Sequence, residues 1–195
     1  LPEDLARADL YGLIARFFQL PPDQALLDQI TASADQHDAA DEAPLAKLWM
    51  DVVEVAKNNP AKAWHDEFDL NFISVGKPNV VLNGSFYMAG PLNEKPLVNI
   101  RKALEEFGLE AAEEITETED HISALCEVMR YLIAGDDVEV SNLTNQRAFF
   151  NAHIRPWYSE LCDAIEDIPE MHLYHPVAAL TREFFAIEGQ GFDMI

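Results

Sequence analysis

Residues 116–135 read TETEDHISALCEVMRYLIAG. Ile122, Leu125, Met129, Leu132 and Ile133 recur at three- and four-residue spacing, which places them on one face of an α-helix. Thr116-Glu117-Thr118-Glu119 has the spacing of a capping box, in which a hydroxyl and an acid satisfy the free amides of a first helical turn. Gly135 supplies the stop.

Working outward, the same periodicity recurs. Upstream, Leu97, Ile100, Leu104 and Phe107 share a face between Pro96 and Gly108. Trp64, Phe68 and Phe72 stand at i, i+4 and i+8. Pro44 opens a helix that Asn58-Asn59-Pro60 ends, and a shorter helix spans roughly Asp23 to Ala34. Leu5 to Leu20 forms the first helix, which Pro21-Pro22 stops because proline lacks the amide donor. Downstream, one long helix is expected from about Leu143 to Ile165, kinked at Pro156, and a last one from Pro176 to Ile187. Residues 189–195 read as a tail. Only Val80 to Leu92, with its Asn83-Gly84 turn, is not read as helical. The sequence therefore predicts an all-α, single-domain bundle of seven or eight helices spanning residues 1–195.

Composition narrows the function. The 195 residues, 49% hydrophobic with 8 Gly and 11 Pro, suffice for a real core. Thirty-five acids against 13 bases leave a formal charge of −22. Nucleic acid and anionic membrane surfaces are disfavoured, because both require Lys and Arg. A basic partner would be steered in, although such a charge can also serve solubility alone. Cys126 and Cys162 lie 36 positions apart without a C-x-x-C and read as free, buried thiols of a reducing compartment. The opening Leu1-Pro2-Glu3-Asp4 is acidic where an export signal is basic, and no run of 18 apolar residues occurs. A cytoplasmic protein without membrane insertion is expected.

Motifs of catalysis do not appear. There is no H-E-x-x-H, no G-x-x-x-x-G-K-[ST] and no G-x-S-x-G. The residues three before the six histidines are Ala34, Lys62, Thr118, Phe150, Pro169 and His172, so the E-x-x-H pairs of di-metal bundles are missing. No metal and no cofactor is expected.

Three stretches combine aromatic, polar and ionisable groups. Glu119-Asp120-His121 falls in an opening helical turn, where acids ordinarily complement the helix dipole, yet His121 at the edge of the apolar stripe could meet a bound group. Gln146, Phe150, His153 and Trp157 follow i, i+4, i+7 and i+11, which a plain core stripe would also do. The loop from Val80 to Leu92 carries Asn83, Ser85 and Tyr87, and long loops often carry function.

In this order the segments resemble the TorD/DmsD/NarJ family of redox-enzyme maturation chaperones. The residues that carry the likeness are Glu67-Phe68-x-x-x-Phe72 with Gly76, Leu82-x-x-Ser85-x-Tyr87 and Pro96-Leu97-x-x-Ile100-Arg101. Glu119-Asp120-His121 with Leu125, Met129 and Leu132 follows, and then Gln146-x-x-Phe149-Phe150-x-x-His153-x-x-Pro156-Trp157. The resemblance covers about residues 64–188 and leans towards members that accompany formate dehydrogenases. It implies a TorD-like helical fold and no enzymatic activity. It implies partners too: the twin-arginine leader and the apo form of a molybdenum or tungsten oxidoreductase, held until its cofactor is inserted. Carried over residue by residue, it implies leader binding by Glu119, Asp120, His121, Ser85, Tyr87, Gln146, His153 and Trp157. On this reading Asp120→Ala weakens leader binding and leaves the fold intact, whereas Trp157→Ala costs mainly stability. The alternative is a nucleotide-binding protein or enzyme using the Asp120/His121 pair for acid–base work. Oligomeric state stays open between a monomer and an element-swapped dimer.

Overall fold

A computed structural model describes residues 2–34, 43–73, 76–90, 94–110 and 117–195. The described residues form ten α-helices and no strand. These are α1 (Pro2–Gln19), α2 (Gln24–Ser33), α3 (Pro44–Asn58), α4 (Ala61–Phe68), α5 (Gly84–Ala89), α6 (Lys95–Glu106), α7 (Ile122–Ala134), α8 (Leu143–His153), α9 (Tyr158–Glu166) and α10 (Tyr174–Asp193). A five-residue π-helical turn, Asp69–Ile73, continues α4. No described helix is long and apolar enough to cross a membrane.

The all-helical expectation holds, but three local readings are corrected. Val80 to Leu92 contains a short helix, α5. The long helix expected from Leu143 to Ile165 is two: α8 stops at His153, a turn carries Ile154 to Trp157, and α9 begins at Tyr158. Pro156 has no amide to offer, so the chain breaks here instead of bending. The supposed tail from Gly189 belongs mostly to α10, which runs to Asp193 with Gly189 and Phe192 buried. Eight helices become ten by the addition of α5 and the division of the long helix.

The described chain resolves into two compact units. The first takes residues 1–19, 82–159 and 195. In it α1 lies along α7, α7 along α8, and α5 against α6. Its buried side chains include Tyr11, Ile14 and Phe18 from α1, Leu125, Cys126 and Met129 from α7, and Phe149 and Phe150 from α8. Gln146 on α8 accepts from the Arg7 guanidinium at 3.1 Å and donates to the Leu132 carbonyl at 2.9 Å, tying three helices of the unit together.

The second unit takes residues 20–81 and 160–194. There α3 packs against both α2 and α10. Asp23 caps α2 by accepting from the Leu26 amide at 2.8 Å. Tyr174, fully buried, is boxed by the rings of Trp64, Phe68 and Phe72 at centroid distances of 5.5, 6.2 and 5.0 Å. The i, i+4, i+8 aromatic stripe of the sequence is this box, and it contributes by area burial and edge-to-face contact.

Candidate functional site

Asp120 is the centre of the arrangement in the first unit. It is 1% exposed, in the turn that precedes α7. Its carboxylate accepts four hydrogen bonds. One oxygen takes the Asn83 amide at 3.0 Å and the Thr118 hydroxyl at 2.5 Å. The other takes the Ser85 amide at 2.9 Å and the Ser85 hydroxyl at 2.5 Å. The backbone adds two more links: Gly84 N–H donates to the Asp120 carbonyl and Ile122 N–H to the Leu82 carbonyl, both at 2.9 Å, around an antiparallel bridge between Asn83 and His121. Residues 82–85 and 118–122 are thus fastened face to face. Burial pushes the Asp120 carboxyl up, but the bonds from Ser85, Thr118 and Asn83 outweigh it and hold the group below its ordinary range.

His121 is 7% exposed and is the N-cap of α7. Its Nδ1 accepts from the Ser123 amide at 3.2 Å and lies 2.7 Å from the Ser123 hydroxyl. Burial lowers its basicity. The cap corrects the expected helix start: Glu119 and Asp120 lie ahead of the helix, not in its first turn, and Thr116 of the expected capping box lies outside the described residues. Glu119 is partly exposed and pairs with Arg101 of α6 at 3.0 Å. That hydrogen bond lowers the Glu119 pKa, against a smaller opposing effect of burial.

The fastened segment leads into α5, and α5 sits on Trp157. A Cβ at Gly84 would stand 2.7 Å from the Trp157 Nε1, so only glycine permits this approach. Tyr87 stacks on the indole at 5.4 Å with 14° between planes. Trp157 is 1% exposed and donates through Nε1 to the His153 carbonyl at 2.6 Å. His153 is 7% exposed beside the Phe149 ring, at 4.8 Å, and burial pushes its pKa down to about 4.

Seven of the eight residues singled out in the sequence are therefore connected: Ser85, Tyr87, Glu119, Asp120, His121, His153 and Trp157. Gln146 is not; its bonds are the helix-binding ones to Arg7 and Leu132. Sequence reasoning missed the part played by Thr118 and by the Glu119–Arg101 pair. No local pattern announces partners 18 positions apart. The expectation that Asp120 can be removed without touching the fold is corrected, since a buried carboxylate with four donors holds two segments together. Chemically, the Asp120 acceptors are filled and the Tyr87 and Trp157 rings are stacked, while the Glu119 Oε2 is buried with no hydrogen-bond partner among the described residues. Among the described residues no group of His, Cys, Asp and Glu is placed to hold a metal ion.

The fold is that of an all-helical protein, and the family it belongs to is one of redox-enzyme maturation chaperones. The family model of the nitrate reductase delta subunit matches residues 35–163, and the chain belongs to that family, which holds the TorD- and NarJ-type chaperones. Among solved structures, a candidate redox enzyme maturation protein from Archaeoglobus fulgidus is similar in fold, with a TM-score of 0.60, 19% identity and 93% of each chain covered. No curated protein matches the sequence.

Proposed function

We propose that this chain is a cytoplasmic chaperone, not an enzyme, that binds the twin-arginine leader of a molybdenum or tungsten oxidoreductase and holds it until cofactor insertion is complete. A formate dehydrogenase is the favoured client. The observation that carries the reading is charge: a member of a redox-enzyme chaperone family with 35 acids and 13 bases is complementary to a leader that begins basic and continues apolar. At the site, Glu119, Ser85 and Tyr87 are only partly buried and are the groups a peptide can touch. Asp120, His121, His153 and Trp157 act behind them by holding the segment and α5 in place. Gln146 serves helix packing.

The alternative reading, acid–base chemistry by Asp120 and His121, is less well supported. A carboxylate with four filled acceptor positions is a poor proton acceptor, and the His121 Nδ1 is committed to the α7 cap. Calorimetric titration of the full chain with a synthetic twin-arginine leader tests the proposal. Binding is expected, weakened about fivefold to tenfold by Glu119→Gln. A leader that fails to bind, or binds the variant equally well, removes the assignment.

A further inference from the structure

A sizeable concavity stands apart from the acid-Asp-His turn. It lies within the second unit, in a groove of about 1130 Å³ flanked by α2 and α3. Its apolar lining comes from Ala32, Val53, Ala56 and Met50, and Met50 is 41% exposed, unusual for a thioether with a core available. Its rim is acidic: Asp28, Asp51 and Glu54 face a single Lys57. Asp51 and Glu54, both exposed, make no ion pair among the described residues. The same two carboxylates border a second hollow of about 450 Å³, towards α10, together with Glu166 and His175. The outer face of α3 is therefore a ridge with unspent negative charge and a groove on either side.

We propose that this ridge is a second docking surface, and that its occupant is a basic amphipathic helix in the client protein, outside the leader. The inference rests on the client-binding reading above and extends it to a different part of the molecule. Three properties choose this occupant. The larger groove has room for about two turns of helix. The aliphatic part of its lining, with an adaptable and exposed Met50, suits the apolar face of such a helix, and the polar remainder suits its flanks. Asp51 and Glu54, which make no ion pair among the described residues, match lysines or arginines one turn apart. A chaperone that grips a client at two places gains from the second contact, because it is intramolecular once the first has formed.

The test uses the full chain and a labelled synthetic helix with leucines at three- and four-residue spacing on one face and lysines on the other, followed by fluorescence anisotropy at about 0.1 M salt. The double variant Asp51→Lys/Glu54→Lys is compared with Glu3→Lys/Asp9→Lys, which changes net charge equally on α1. The expected result is a loss of tenfold or more in probe affinity for the α3 variant and less than threefold for the α1 variant, with the Met50 methyl NMR signal moving on probe addition. Equal losses in the two variants would mean general attraction to an acidic protein and would overturn the proposal, as would absence of probe binding. Competition between the probe and the twin-arginine leader would overturn it as well, by reducing two surfaces to one. Leader affinity measured in the α3 variant separates the two readings: if it matches the α1 variant while the probe result fails, leader binding stands and the second surface falls.

Discussion

Asp120, almost fully buried, carries a load that its short side chain makes easy to underrate. Four donors converge on one buried carboxylate, and removing it takes the shared acceptor from the half-buried Asn83 and Ser85 and from the Thr118 hydroxyl. Asp120→Ala should therefore destabilise the chain by about 3 kcal/mol. Asp120→Asn should recover part of the loss, because one oxygen remains while the new amide faces donors. Urea denaturation measures both, and an alanine variant as stable as the parent would contradict the account. Any leader-binding defect of Asp120→Ala must then be read against the fold, whereas Glu119→Gln, at the partly exposed rim, reports contact more directly. The residue types at 119–121 were legible in the sequence as a candidate cluster. Their division of labour was not, because it depends on Ser85 and Asn83, which lie 35 and 37 positions away.

Helix boundaries were legible wherever proline or a paired asparagine marks them: Pro21-Pro22 follows α1, and Asn58-Asn59-Pro60 separates α3 from α4. They were not legible where tertiary packing overrides local preference. Gly189 and Gly191 are poor helix formers, yet α10 continues through both, with Glu188 and Phe192 buried on either side. The start of α10 is likewise decided at long range. The Glu67 carboxylate, from α4, accepts the amides of Leu173 and Tyr174 at 3.0 Å each. Burial raises the Glu67 pKa, while these two amides and the nearby His172 and His175 pull it back down. Glu67→Ala should leave the first amides of α10 without an acceptor and cost about 1–2 kcal/mol. Amide hydrogen exchange offers the specific check: protection at Leu173 and Tyr174 should fall first. Unchanged protection there would mean that the aromatic box around Tyr174 holds the helix start alone.

Across the whole molecule, two buried imidazoles set the response to acid. Burial depresses His153 to about 4 and lowers His121 in the same direction. A histidine whose folded pKa lies below its unfolded value of about 6.5 favours the folded state when neutral. Its contribution is complete above about pH 6.5 and is lost as pH falls towards the folded value. The Asp120 carboxylate, depressed by its donors, gives up its share only at lower pH, below the ordinary value of about 3.9. Melting temperature should therefore drop between about pH 6.5 and pH 5 more steeply in the parent than in His153→Gln. Parallel curves for the two proteins would sink the assignment. Relief of repulsion in a chain of charge −22 acts on both proteins alike and cancels in the comparison.

The cap at the head of α7 fixes one more property. Because the His121 Nδ1 accepts the Ser123 amide, the neutral ring carries its hydrogen on Nε2. That nitrogen can only give a hydrogen bond. Protonation would place a second hydrogen on Nδ1, where the Ser123 amide already points, so acid would unfasten the head of α7 from within.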